Sequence, residues 1–154
     1  MDEKTSPEDV ESGKVSDRLE VYVMEENGKV AAYVIPMKGT GLWGPISGYL
    51  ALEPDCSTVR GVTFFAEKET PGLGAEITHT PFQSQFKGKH ILDDSGKLVS
   101  IKVVKGKAAE VMPDALDHAV DGVSGATLTS NGVTNMFSDC LERYEPYFKK
   151  VRKS

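Results

Sequence analysis

The chain reads as an α+β domain built on a mostly antiparallel, twisted sheet flanked by helices. Three observations predict this. Alternating apolar runs come first and are joined by hairpin-style connections. Mixed elements follow them. One long segment of helical periodicity lies near the end. With 154 residues there is material for one core, and we place a single domain at residues 17–154 behind a flexible arm at residues 1–16.

The arm is polar and acidic, with Glu3, Glu8, Asp9 and Glu11, and has too few apolar groups to offset the entropy of ordering. Residues 18–25 alternate like a half-buried strand. Asn27-Gly28 suits a tight hairpin turn, and residues 30–35 return as the second strand, ended by Pro36. Residues 38–48 form a glycine-rich loop, 49–52 a short apolar run, and 53–57 a turn region. Residues 58–66 read as a buried strand, followed by a second glycine-rich loop at 69–74. Residues 75–88 are helical in part, with Ile77, Phe82 and Phe86 as core candidates and Pro81 tolerated in a first turn. A turn at 93–96, a strand at 98–104 and an exposed excursion at 106–120 come next. Beyond them Val133, Met136, Phe137, Cys140, Leu141 and Tyr144 recur at helical spacing, until Pro146 ends or kinks the helix.

A net charge of -5 with no basic stripe points away from nucleic acid. The one concentrated run of positive charge, residues 149–153, reads as a solvated tail. No segment approaches the roughly 18 apolar residues of a membrane span. Asp2, Glu3 and Lys4 follow Met1 where a signal peptide would carry an apolar run. Cys56 and Cys140 do not form a metal-binding pattern. Cys140 falls on the apolar helical face and reads as a buried thiol; whether the two pair is open at this level. Asp114, Asp117, His118 and Asp121 are read as solvent-facing loop groups rather than a metal site. His79 and His90 have no evident partners. Ser124-Gly-Ala lacks the Gly-x-Ser-x-Gly elbow of a serine hydrolase, and the dinucleotide signature Gly-x-Gly-x-x-Gly is absent.

Three segments remain as candidates for one site. In the first loop Trp43, with glycines at 41 and 44, offers a large flat surface beside Leu42. Two readings stand: an indole lying along a flat aromatic ring, or a core tryptophan. In the second loop Leu73 lies between Gly72 and Gly74 and could cover the opposite side of such a ring, with Glu69 and Thr70 supplying polar edge contacts. Glycine in both loops lets backbone approach a ligand closely. The third segment, Asp121-Gly-Val-Ser124-Gly125-Ala126-Thr127-Leu128-Thr129-Ser130, sets hydroxyls around a Gly-Ala step just before the helical segment. A helix mouth favours anions, because free N–H groups and the dipole both face the ligand. A plain helix cap is the competing reading of its hydroxyls.

Asp121-x-x-Ser-Gly-Ala-Thr127 resembles the attachment motif of FMN-binding domains, in which the flavin phosphate is esterified to the last threonine. Joined to Gly41-Leu-Trp43, Tyr49-Leu-Ala-Leu52, Glu69-Thr-Pro-Gly-Leu-Gly74 and Ile101-Lys-Val-Val-Lys-Gly106, the order resembles the NqrC subunits of the Na+-translocating NADH:quinone oxidoreductases, from about residue 20 onward. The resemblance implies a single FMN-binding domain with FMN held covalently by a phosphoester to Thr127. It also implies that a separate flavin transferase makes the bond. This agrees with the absence of a His or Cys base in the motif. Leu42, Trp43, Glu69, Thr70, Gly72, Leu73, Lys105, Ser124, Gly125, Ala126, Leu128 and Thr129 become the expected cofactor-binding residues. Ser124, Thr129 and Ser130 are the candidate donors to phosphate oxygens. For Lys105 a flavin-side cation and a solvated strand-end lysine are both open.

The implied function is an electron relay within a Na+-pumping complex of several membrane subunits, with no catalytic residue of its own and no metal. The same motif would serve the equivalent subunit of an ion-translocating ferredoxin:NAD oxidoreductase. A non-redox binding module sharing the fold is the alternative of another class. The NqrC subunits begin with a transmembrane helix, so the expectation is a soluble piece representing the extracytoplasmic (periplasmic) domain at the cytoplasmic membrane, after a missing N-terminal anchor.

Overall fold

The computed structural model describes residues 2–5 and 19–153. Its main sheet is antiparallel throughout, in the order β1 (Asp2–Thr5), β2 (Val21–Glu26), β3 (Lys29–Thr40), β4 (Pro45–Leu52) and β5 (Val59–Phe65). Asn27 and Gly28 have φ of 54° and 79°, the two left-handed residues that a two-residue hairpin turn demands. Within the arm expected to be loose, Asp2–Thr5 pairs with β2, whose free edge offers backbone groups that any sequence can satisfy. Residues 6–18 lie outside the described residues.

The strands run further than expected. β3 continues through Pro36 to Thr40. Pro36 falls past the last β2–β3 partner pair, Tyr22 with Val34, where one side of β3 has no ladder to feed. The expected loop at 38–48 therefore shrinks to Gly41–Gly44. Gly48 is part of β4, paired with Met37 and Phe64, and must be glycine there because a Cβ would lie 2.1 Å from the Thr63 carbonyl of β5. The expected strand at 98–104 is reduced to β6 (Lys102–Val103), since Ser100 has a φ of 64° and breaks the extended run.

Helical turns at Gly74–Thr78, α1 (Thr80–Gln83) and Ser84–Phe86 follow the sheet, with Ile77, Phe82 and Phe86 buried as expected. The stretch expected to be an exposed excursion is partly structural. It holds α2 (Ala108–Val111), a turn at Pro113–His118, and β7 (Ala119–Val120) parallel to β6, with Ala108, Ala119 and Val120 buried.

The long helix α3 (Thr127–Lys153) lies across the sheet. Its buried Val133, Met136, Phe137, Cys140, Leu141 and Tyr144 meet Ile35, Met37, Ile46, Leu50 and Phe64 in one core. Each such side chain contributes about 1.5–3 kcal/mol. Phe137 stacks on Phe86 at 5.1 Å, which fixes the helical turns after β5 against α3. Pro146, expected to end or kink the helix, does not end α3. Buried Tyr147 and Phe148 lie beyond it, and Phe148 stacks on Tyr144 across the proline at 5.9 Å, so packing offsets the lost backbone bond. The basic tail is likewise no free tail: Arg152 donates to the Cys56 carbonyl (2.6 Å) and to Glu145 (2.9 Å). Cys56 and Cys140 are both buried free thiols, and burial pushes Cys56 up to about 12.

Candidate functional site

α3 opens where the hydroxyl motif ends. The first helical backbone bond runs from Ser130 N–H to the Ala126 carbonyl, which makes Ala126 the cap residue and Thr127 the first residue of the helix. Alanine has no side-chain acceptor, so the first-turn N–H groups are not capped by it. Thr127 itself is exposed, and so are Ser124 and Leu128, the latter at 58%. The plain-cap reading of Thr127 fails on this geometry. Thr127 is an exposed residue at a positive helix mouth.

Thr127 borders a cavity of about 460 Å³ whose walls come from two segments. One is the β6 end, Val103 to Lys107. The other is the motif itself, Asp121 to Gly125, with Ser130 and Asn131 from α3. Thr134 on α3 accepts the Val103 N–H at 2.9 Å and so pins the first wall to the helix. Gln85 holds the second: it accepts the Asp121 N–H (2.8 Å) and donates to the Asp121 carbonyl (3.3 Å). The Asp121 carboxylate turns away to accept the Ala108 N–H of α2 at 2.8 Å. Asp121 is thus a structural cap within the motif. Gln85 was invisible to sequence reasoning, since its partner lies 36 residues away. Lys105, exposed, lines the same cavity as Thr127. Ser130 is 3% exposed and its Oγ has no hydrogen-bond partner. A buried orphan hydroxyl beside an exposed threonine, a lysine and a helix mouth is a donor set suited to a phosphate ester.

The two glycine loops meet the motif from the other side. Trp43 is 65% exposed and Leu42 48%, so the core reading of the tryptophan is wrong. Leu73, 42% exposed, packs against Gly125: a Cβ added there would lie 3.1 Å from its Cδ2. Thr70 and Gly72 form the turn beneath Leu73, with the Thr70 carbonyl accepting from Leu73 and Ala75.

Glu69 departs from its expected role. It is 4% exposed, and its carboxylate accepts the N–H groups of Leu42 (3.0 Å), Trp43 (2.8 Å) and Gly44 (3.1 Å) together with the hydroxyl of Thr129. A carboxylate offers about four acceptor sites, so none is left for a ligand edge. Burial pushes this carboxyl up, but the bonds from Thr129, Trp43, Leu42 and Gly44 outweigh it and hold it below the ordinary glutamate value. Thr129, 1% exposed, is committed to Glu69 rather than turned to the cavity. The glycines have a matching cause. A Cβ at Gly41 would lie 2.7 Å from Glu69 Oε1, and one at Gly74 would lie 2.6 Å from Thr129 Oγ1. Close approach is required, but to a protein carboxylate.

Among the histidines, His79 pairs with Glu76 (3.2 Å), His90 with Asp117 (2.6 Å), and His118 with the His90 carbonyl (2.7 Å). No helix among the described residues is long and apolar enough to cross a membrane.

Residues 41–142 match the FMN-binding domain family. The NqrC subunit of the Na(+)-translocating NADH-quinone reductase from Yersinia pestis is 42% identical over 138 residues, covering 88% of this chain and 50% of that protein. Its Chlamydia muridarum counterpart is 42% identical over 127 residues, or 76% and 40%. The chain spans about half the length of such relatives. Among solved structures, the NqrC subunit of Parabacteroides distasonis superposes with a TM-score of 0.76 at 37% identity, covering 90% of this chain and 67% of that one. Shewanella oneidensis NqrC superposes with 0.78 at 34% identity, covering 98% and 70%. With a family match across about two thirds of its length, relatives at about 40% identity and a sheet and helix that superpose on solved NqrC subunits, the chain belongs to the FMN-binding domain family, alongside the NqrC subunits of the Na+-translocating NADH-quinone reductases.

Proposed function

We propose that this chain carries FMN through a phosphoester to Thr127 and serves as an electron-transfer subunit of a Na+-pumping NADH:quinone oxidoreductase. The observation that carries this is the placement of Thr127: an exposed residue at the first position of a helix whose cap, Ala126, has no side-chain acceptor, bordering a cavity also lined by Lys105 and by Ser130, whose buried hydroxyl is unpartnered. Bound FMN would supply one- and two-electron chemistry, which no side chain here provides.

The chain's own residues then have separable duties. Thr127 is the anchor. Ser124, Ser130, Lys105 and the first-turn N–H groups bind and neutralise phosphate charge. Gly125 and Ala126 keep the approach to Thr127 free of bulk. Leu42, Trp43, Leu73 and Leu128 present apolar surface on which a flat ring system rests, with Thr70 and Gly72 setting the turn under Leu73. A covalent anchor removes cofactor loss from the problem, so the surface can stay shallow and open to redox partners.

On this reading a flavin transferase loads the domain during maturation. The domain faces the other subunits from the extracytoplasmic side of the membrane. The names of the relatives favour the NADH:quinone complex over the ferredoxin:NAD one. The test is intact-mass spectrometry after co-expression with a flavin transferase. The expected result is a mass increase of FMN minus one water, absent in Thr127→Ala. An unmodified wild-type chain under those conditions would refute the reading.

A further inference from the structure

Trp43 presents an odd combination. Its side chain is 65% exposed, yet the backbone beneath it is fastened by three successive N–H groups to one buried carboxylate. Consecutive N–H groups converging on an anion form a rigid concavity. The same carboxylate takes the hydroxyl of Thr129, which is two residues from Thr127 in the first turn of α3. Glu69 therefore connects the loop that bears the indole to the helix turn that bears the anchor. These two segments are far apart in sequence: Glu69 lies 26 residues from Trp43 and 60 from Thr129. Gly41 and Gly74 admit the carboxylate, since a Cβ at either would come within 3 Å of Glu69 Oε1.

We infer that Glu69 is a positioning residue for the flavin site, holding the Trp43 indole at a fixed place relative to Thr127. The inference rests on the Thr127 reading above and adds how that site keeps its shape. Three points support it. The carboxylate is too buried and too fully bonded to touch a ligand. Burying it carries a desolvation cost that the four donors offset only with the loop and α3 in their present arrangement. And with Trp43 65% exposed, packing around the indole cannot hold it in place, which leaves the backbone bonds beneath it. Without the clasp, residues 41–44 would be a four-residue glycine-bounded loop closed by the single Gly41–Gly44 backbone bond. Its indole would sample many orientations over a tethered ring.

Trp43 is the sole tryptophan, so emission excited at a wavelength that tyrosine does not absorb reports on this loop alone. In the flavin-free chain, Glu69→Gln should speed amide exchange at residues 42–44 at least tenfold and lower the slow component of tryptophan anisotropy. In protein verified by mass to carry FMN, wild-type indole emission should be strongly quenched. Glu69→Gln should recover it several-fold and shift the flavin midpoint potential. Thr129→Val, which keeps the three backbone contacts, should give the same changes at smaller size and covers the case in which Glu69→Gln does not fold. Unchanged exchange and anisotropy in both variants would overturn the clasp. Unquenched emission in loaded wild type would overturn its role towards the flavin while leaving the Thr127 anchor standing. A wild type that takes no FMN defeats the anchor reading and, with it, the positioning role; the exchange result then shows a purely structural clasp.

Discussion

Thr127 and Thr129 lie two residues apart in the first turn of α3 and serve opposite environments: Thr127 is exposed, while Thr129 is buried and its hydroxyl donates to Glu69. Their substitutions should separate chemistry from stability. Thr127→Ala removes a surface group and should change unfolding free energy by no more than about 0.5 kcal/mol, while abolishing the FMN mass increment. Thr129→Val leaves a buried carboxylate one donor short and should cost about 1–3 kcal/mol. Urea unfolding of the flavin-free proteins checks both.

Alanine at the glycine positions tests whether close approach or flexibility explains them. Gly41→Ala places a methyl 2.7 Å from Glu69 Oε1 and should destabilise by about 1–3 kcal/mol. Gly61 in β5 has no atom within 4 Å of its would-be Cβ and no positive φ. Gly61→Ala should be neutral or stabilise by up to about 1 kcal/mol. Thermal melts of the two variants against wild type give the comparison. Equal melting temperatures would mean that the loop yields around the added methyl.

Much of this is readable in the residues, and the pattern of what is not is physical. The Asn27-Gly28 turn depends only on the φ of two adjacent residues, and the apolar face of α3 only on spacing; local chemistry writes both plainly. The same holds for Thr127 at a helix start. Pro36 and Pro146 look like terminators in the sequence and are not, because neighbours distant in sequence decide whether a missing N–H matters. The glycine loops look like room for a ligand, whereas Gly41 and Gly74 make room for Glu69, a long-range partner. Gln85 gives no signal at all: a glutamine bracketing Asp121 looks like any surface glutamine until the chain is folded.

The Glu69 clasp also sets a pH dependence. Its carboxyl is held below the ordinary glutamate value of about 4.3. A group depressed in the folded state adds stability that is fully present above the unfolded value and is lost as pH falls through the folded one. Asp55 acts with the same sign: burial pushes it up, and bonds from Thr58 and Ser57 outweigh that. The difference between wild type and Glu69→Gln isolates the clasp. In urea unfolding it should be largest near pH 6–7 and shrink steadily below about pH 4. A difference constant from neutral to acid pH would show that the carboxylate charge contributes nothing.

Arg152 supplies a control far from the site. Its guanidinium, with a side chain 18% exposed, serves Glu145 and the Cys56 carbonyl at once and lies 5.9 Å from the Phe148 ring. Arg152→Ala would leave the Cys56 carbonyl and a carboxylate that is 13% exposed without their donor, and Glu145 Oε1 already has no partner. The expected cost is about 2 kcal/mol, between the surface and fully buried limits for ion pairs. Arg152→Lys should recover less than half of it, because one ammonium cannot reproduce a fork spanning two acceptors. Exposed Lys149 and Lys153 should each be worth no more than about 0.5 kcal/mol. Denaturant midpoints measure all four variants, and FMN incorporation per folded molecule should be the same in each. Equal losses for Arg152→Ala and Lys153→Ala would mean that the end of α3 is held by Tyr147 and Phe148 alone.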